Sequence, residues 1–332
     1  MATKPDASTK PISARLRGWQ SEPAGDVAIR LAHRYLDAAG EAAERVTSNA
    51  DPEALHDFRV ALRRLRSVLR AYRCCLRKLP KKWRRQLKRV VRATNAGRDS
   101  EVFLAWLDIQ SSLPVTEQAA HEWLRKQLEA MRDASYSQLR TQGLTDFIAL
   151  SRHLRQVLAV SRSKSSYGEV MADHLHAQTA RVAADLARVH SAADAEAIHD
   201  ARIQAKRLRY LIEPSSPRLP GARAGVKRLK TFQDEAGALC DGFVRRRMFV
   251  QLAEAAGAQQ AREAIETVDE ERSKVPNELD VIPGLRRLAQ RSERQVRQLF
   301  QRFRRRYLET RIQNLIEPFL RLERRLAGPG AD

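Results

Sequence analysis

The sequence is poor in the residues that interrupt helices and in the residues that form disulfide frameworks. Its 332 residues include 14 glycines, 13 prolines and three cysteines. No run of alternating β-branched residues lies between turn signals, so strands are not expected. The cysteines (Cys74, Cys75 and Cys240) form no CxxC pair, which favours a reducing compartment. The composition therefore predicts an all-α protein of the cytoplasm.

Targeting signals and long apolar runs are also missing. No window approaches the roughly 18 apolar residues of a membrane span. The first residues are polar and lack an apolar region followed by a cleavage site. We therefore expect no membrane partner, a disordered N-terminal tail at 1–24 and a C-terminal tail at 326–332.

Signatures of catalysis are likewise missing from the sequence. It contains no Walker A loop, no GxGxxG, no HExxH and no GxSxG. No paired carboxylates at helical spacing lie among the basic residues. We therefore expect a binding protein rather than an enzyme, with no cofactor and no bound metal.

Acidic residues are too few to balance the basic ones. The chain has 61 Lys and Arg against 40 Asp and Glu, a formal net charge of +21. Such an excess is typical of proteins that bind a polyanion. The composition leaves open whether the partner is nucleic acid, an anionic membrane surface or a polymer of phosphate.

A repeat divides the chain into two halves. EALHDFRVALRRLR at 53–66 aligns without gaps with EAIHDARIQAKRLR at 196–209, at an offset of 143 with eight identities in fourteen positions. We interpret this as an internal duplication. The predicted halves are 25–160 and 170–325, with a polar linker at 161–169. The predicted N-caps of the two motif helices are Asp51 and Asp194.

Basic residues in the first motif recur at steps of three and four, so they form one stripe along a helix. They are His56, Arg59, Arg63, Arg66, Arg70, Arg73 and Arg77. An apolar stripe that includes Phe58 and Leu62 runs beside it and should pack into the core. We therefore expect the arginines to line a groove. Between His56 and Arg92 there are 15 basic residues and one acidic residue.

The second motif repeats the stripe, and the helix that follows each motif is also basic. The second set is His199, Arg202, Lys206 and Arg209, and the following helices add Arg85, Lys88, Arg92, Lys227 and Lys230. A solvated basic face is the alternative, but acidic partners at i,i+4 are lacking. The fork of arginine fits two phosphate oxygens, so phosphate is the favoured ligand group.

The two His-Asp pairs raise the alternative of a metal or phosphohistidine site. They are His56-Asp57 and His199-Asp200. The alternative is weaker because arginines oppose divalent cations and neither pair has a ligand partner at i+3 or i+4. We expect the histidines to bind phosphate or orient a neighbour, and to resist protonation among the arginines.

The motifs HDFRVALRRLR at 56–66 and HDARIQAKRLRY at 199–210 resemble the signature of the CHAD family, named for a conserved-histidine α-helical domain. The segments at 87–102 and 229–241 are similar to the family's Leu-Lys-rich helix that ends in a Gly-then-Asp turn. The resemblance covers about 25–325. The ExExK signature of the triphosphate-tunnel domain often fused to this family is absent, so no phosphatase or cyclase activity is expected.

The resemblance implies two pseudo-symmetric four-helix bundles whose basic helices face a central cleft or pore. It also implies that the cleft binds inorganic polyphosphate through the basic positions named above, and that the protein associates with polyphosphate granules. A general polyanion-binding or RNA-binding protein is the main alternative, but aromatics for base stacking are scarce beside the stripe. A granule-associated interaction scaffold is the third. The oligomeric state stays open.

Overall fold

The computed structural model describes residues 18–48, 53–110, 113–160, 165–266 and 281–327. Within these ranges the regular structure is helical and no strand occurs, which confirms the all-α prediction. None of the described helices has the length and apolar character to cross a membrane. The helices are α1 (Ala24–Ser48), α2 (Ala54–Ala71), α3 (Lys81–Ala93), α4 (Asn95–Asp108), α5 (Val115–Gln138), α6 (Leu144–Val157), α7 (Tyr167–Ala187), α8 (Ala195–Ile212), α9 (Ala222–Glu266), α10 (Ile282–Tyr307) and α11 (Ile312–Ala327).

The first motif forms α2, which packs along α1. Its apolar stripe is buried as predicted, with Phe58, Leu62 and Leu65 fully inaccessible. The facing side of α1 is rich in alanine, and Ala28 and Ala32 are also fully buried. Small residues let the two helix axes approach closely, so the large side chains of α2 fill the space between them.

The second motif forms α8, which packs against α7, α9 and α2. Both motif helices are 18 residues long. Asp194 is the N-cap of α8, and its carboxylate accepts hydrogen bonds from the backbone N–H groups of His190 and Ser191. The N-cap of α2 is Glu53 and not the predicted Asp51, which lies outside the described residues. The contact between α2 and α8 is the one that brings the two basic stripes together.

Two hydrophobic clusters form the core, and each draws on both halves. The larger one joins α1, α2, α3 and α6 to α7, α8, α11 and parts of α9 and α10. The smaller one joins α4 and α5 to the C-terminal part of α9 and the N-terminal part of α10. The halves therefore share their core rather than fold around two separate ones. Duplication of the whole fold and a division into two four-helix bundles stay predictions.

The helix that follows the second motif differs from its counterpart in the first half. Thr94 separates α3 from α4, whereas the equivalent stretch of the second half lies inside α9, which has 45 residues. The expected Gly-then-Asp turns are therefore helical in both halves: Gly97 and Asp99 lie in α4, and Gly237 and Asp241 in α9.

The structure differs from three predicted boundaries. Residues 18–24 are ordered, because Trp19 is only 7% exposed and its ring lies 5.5 Å from that of Tyr167. The second half begins at Tyr167 rather than 170, since Ser166 and Glu169 form a capping box that starts α7. At the other end α11 continues to Ala327, because Leu326 is buried. Residues 1–17 and 328–332 lie outside the described ranges.

The smaller cluster gives a test of the shared core. Phe103 is fully buried there against Trp106 and Phe249, which belong to different halves. We expect Phe103→Ala to lower the free energy of unfolding by about 3 to 5 kcal/mol, because it leaves a cavity between the halves. Urea denaturation followed by circular dichroism measures the change. Ile148→Ala, at a side chain that is 57% exposed, is the control and should change stability by less than about 0.5 kcal/mol.

Candidate functional site

Basic residues of both halves meet where α2 packs against α8. Lys206 lies among Arg202, Arg63 and Arg209, and burial together with these three cations lowers its pKa to about 7. Arg59 lies next to Arg63 on α2. We call these five residues the central cluster: Arg59, Arg63, Arg202, Lys206 and Arg209. All five were predicted from the two stripes, and the structure brings them together.

The central cluster is desolvated but poorly paired. Arg59 is only 8% exposed, and its pKa is lowered to about 10 by burial and then by Arg63 and Arg98. The Nε atoms of Arg59, Arg63 and Arg209 are buried and have no hydrogen-bond partner among the described residues. Each unpaired buried donor costs about 1 to 3 kcal/mol. An anion that enters the groove would relieve both the repulsion and part of this cost.

Arg202 is held in place by the backbone of α9. Its Nε–H donates to the carbonyl of Gln233 at 3.4 Å, and the Gln233 amide in turn donates to the carbonyl of Ala205 at 3.1 Å. Gly237 makes the approach possible, because a Cβ at this position would lie 3.2 Å from Nε of Arg202. A larger residue here would push the guanidinium group of Arg202 away by a few tenths of an ångström.

Two carboxylates that the sequence argument missed border the central cluster. Asp99 lies near Arg59, and Asp241 lies near Arg202 and Lys206. Burial raises the pKa of both, and each carboxylate opposes the ionisation of the other, while the nearby arginines act in the opposite direction. The two aspartates could have been recognised in the sequence because they lie two to four residues after Gly97 and Gly237. The cations still outnumber these acids.

The stripe continues toward the C-terminal end of α2 with a second group of arginines. Burial, Arg207 and Arg66 lower the pKa of Arg70 to about 10. Burial, Arg181 and Arg66 lower the pKa of Arg207. Arg66 and Arg70 were predicted, whereas Arg181 and Arg207 were missed because neither lies on the repeated stripe. The alignment of Arg207 with Arg64 at the same offset was the available signal.

The aspartates of the two motifs have structural partners. Asp57 accepts a hydrogen bond from Arg45 at 2.5 Å, and Asp200 pairs with Arg188 at 3.7 Å. Both arginine positions are also 143 residues apart, so the same ion pair ties each motif helix to the helix before it. Among the described residues no three His, Cys, Asp or Glu side chains are grouped to hold a metal.

The histidines of the two motifs differ in their surroundings. His199 lies beside Arg202 and Lys206, and burial followed by Arg202 lowers its pKa, in the direction expected for a histidine among cations. His56 is exposed.

Seven predicted residues lie outside the buried part of the site. Arg73 lines a cavity at the C-terminal end of α2. The others are exposed, and none of them forms an ion pair in the part of the chain that the structure describes: His56, Arg85, Lys88, Arg92, Lys227 and Lys230. Their role in ligand binding stays a prediction.

The two motif helices and the residues around them lie within the range of one protein family. The sequence model of the CHAD domain matches residues 30–250, which is more than half of the chain. The chain belongs to the CHAD domain family. The crystal structure of the CHAD domain from the plant Ricinus communis has a similar fold, with a TM-score of 0.60 and 24% identity over 80% of this chain and 93% of that one. No curated protein sequence matches the chain.

The matched range of this CHAD domain contains the complete central cluster and both bordering aspartates. The smaller hydrophobic cluster extends beyond it through Leu252, Leu285 and Leu288, so residues after the matched range complete the core that supports α9. The family match therefore covers the segment that carries the cations, and the similarity to the solved structure covers 80% of this chain.

The lowered pKa of Lys206 gives a prediction for the unbound protein. Because the pKa is about 7, the amine is neutral in about half of the molecules near neutral pH and should react with an acylating reagent. We expect labelling of Lys206, quantified by mass spectrometry, to rise with a midpoint near pH 7. In denaturant the midpoint should return toward the ordinary value of 10.5. A labelling midpoint near 10.5 in the folded protein as well would contradict the burial of this amine among cations.

Proposed function

We propose that this CHAD domain binds inorganic polyphosphate, without catalysing a reaction on it, through the central cluster. The observation that supports the proposal is the meeting of Arg63 with Lys206 and its neighbours from the other half, without enough carboxylates to neutralise them. A cluster of this kind is unfavourable when empty and becomes favourable when a dense anion supplies the missing charge.

The types of side chain favour phosphate over a carboxylate polymer. Four of the five cations in the central cluster are arginines, whose planar forks donate two parallel hydrogen bonds to phosphate oxygens. The cluster is also partly desolvated, so each charged hydrogen bond should be stronger there than on an open surface. Stripes on two facing helices match a linear anion that contacts one cation after another.

The aromatic side chains near the stripe are not accessible, and this favours polyphosphate over RNA as the ligand. Proteins that bind single strands without sequence preference stack bases on accessible aromatic rings. Tyr72, which directly follows α2, is only 2% exposed, and Trp83 is stacked on His153 at 4.1 Å. Neither ring is free to form a stacking platform, and a chain of phosphates needs none.

The same proposal includes a cellular place and a role. A protein that binds polyphosphate through a central groove would associate with polyphosphate granules in the cytoplasm and could act there as a scaffold. The side chains near the central cluster are cations bordered by Asp99 and Asp241. This arrangement suits binding, and we assign no reaction to it.

Competition between polyanions tests the proposal directly. Labelled long-chain polyphosphate is bound at near-physiological salt and challenged with RNA of equal total charge. We expect polyphosphate to be retained until RNA is present in at least a hundredfold excess, because the groove offers arginine forks and no accessible stacking surface. Displacement by an equal charge of RNA would leave only a general polyanion-binding protein.

Substitution of the central cluster tests the site. We expect Arg63→Gln combined with Lys206→Gln to weaken polyphosphate binding by about a hundredfold, because each charged hydrogen bond contributes about 1.5 to 3 kcal/mol. Fluorescence anisotropy with labelled polyphosphate measures the dissociation constant. The matched control, Lys126→Gln with Arg262→Gln, removes the same charge from exposed positions on α5 and α9. Equal losses in the two double variants would show that net charge, and not the groove, determines binding.

A further inference from the structure

A cavity of about 330 Å³ lies at the C-terminal end of α2, between α2, α7 and α8. This volume is at the lower end of the range of pockets that enclose small ligands. Arg70 lines it from α2, Arg73 from the turn that follows α2, Arg181 from α7 and Arg207 from α8. No aspartate or glutamate is among the described residues that line it.

The four arginines have few partners. Neither Arg70, Arg73 nor Arg181 forms an ion pair with any residue that the structure describes, and Arg207 donates to the amide oxygen of Gln204 at 2.8 Å. The carboxylates on the same side of α7 and α8, Asp185 and Asp200, pair with Arg188 instead. Asp200 and Asp185 also attract Arg207 from a distance, but no carboxylate among the described residues forms an ion pair with the four arginines, so much of the positive charge that lines the cavity is not neutralised.

The repeat shows that the repulsion among these arginines occurs on one side of the molecule only. Positions 64 and 207 are equivalent at the offset of 143, and so are positions 70 and 213. Arg64 pairs with Glu213 at 2.8 Å, an attractive contact between the halves. On the other side the equivalent positions hold Arg207 and Arg70, two like charges that repel each other. An ion pair holds one side together, and an uncompensated pair of cations lines the cavity on the other.

The remaining walls are different in character from the central cluster. They include the apolar side chains of Leu31, Val68, Leu211 and Pro214. Gln178 also lines the cavity, and its Oε1 atom is buried with no hydrogen-bond partner among the described residues. A free amide oxygen requires a donor, and ionised phosphate oxygens only accept. A ligand that satisfies Gln178 in this orientation together with the apolar walls therefore carries an apolar part and an N–H or O–H group beside its phosphate.

We propose that this cavity binds a nucleoside phosphate, with Arg181 and Arg207 on the phosphates and Gln178 on a donor of the sugar or base. The apolar walls would cover the base, which removes its faces from water. The proposal does not rest on polyphosphate binding, since the cavity and the central cluster have different linings. Arg70 and Arg73 are predicted polyphosphate residues that also line the cavity.

Calorimetric titration of the full chain with ATP tests the proposal, and tripolyphosphate is the comparison because it has the same number of phosphates and no nucleoside. We expect ATP to bind at least tenfold more tightly than tripolyphosphate. Equal affinity, or tighter binding of tripolyphosphate, would overturn the assignment of a nucleoside ligand.

Variants locate the site. Arg181→Gln and Arg207→Gln should each weaken ATP binding by tenfold or more, and Ala177→Leu should do so by filling the cavity without changing its charge. Arg262→Gln on the exposed end of α9 is the matched control and should change the affinity less than twofold. Retained ATP binding in Ala177→Leu would overturn the proposal, even if an arginine variant failed to fold.

The substitution Arg70→Glu tests whether the arginines of the cavity bind a ligand or stabilise the fold. It recreates in the cavity the Arg-Glu contact that Arg64 and Glu213 make on the other side. We expect it to raise the thermal midpoint and at the same time to abolish ATP binding. A lower midpoint would contradict the uncompensated pair of Arg70 and Arg207. ATP binding lost in Arg63→Gln with Lys206→Gln, and kept in Arg181→Gln, would place ATP in the groove and overturn the assignment to the cavity.

Discussion

The burial of an apolar stripe beside a basic one is the constraint on which this structure depends. Phe58, Leu62 and Leu65 must lie in the core, and the helix geometry then fixes the arginines at its edge. The same requirement applies to α8, whose Ile198 and Leu208 are fully buried. Since α2 and α8 pack against each other, both sets of cations are held together by hydrophobic burial rather than by any attraction between them.

Most acidic residues lie outside the groove. Many of them form ion pairs elsewhere, as in Glu117 with Arg291 at 2.9 Å between α5 and α10. Asp57 and Asp200 fasten the motif helices to the helices before them. The carboxylates that do lie near the central cluster, Asp99 and Asp241, resist ionisation because they are buried and close to each other. The ion pairs that stabilise the fold thus lie around the groove, and the cations inside the groove remain positively charged.

Periodicity predicted much of this arrangement, and its failures have a common cause. The all-α class, the two motif helices and the buried apolar stripe follow from local sequence, where steps of three and four define a helix face. The five residues of the central cluster could also be predicted, because the repeat marks equivalent positions. Arg181 could not, since its contacts depend on how helices far apart in the chain pack. Trp19 was missed for the same reason: its partner, Tyr167, lies in the other half.

The two sides of the interface between α2 and α8 show how a duplicated sequence can acquire two different surfaces. Where Glu213 takes the position equivalent to Arg70, an attractive contact with Arg64 joins the halves. Where arginine occupies that position, Arg207 faces a like charge beside a cavity. One acidic residue in place of one basic residue therefore decides which side serves stability and which side is open to an anion. A fully symmetric sequence would have either two ion pairs or two repelling pairs of arginines at these positions. The asymmetry gives the molecule one ion pair and one repelling pair, and the ion pair on one side offsets part of the repulsion on the other.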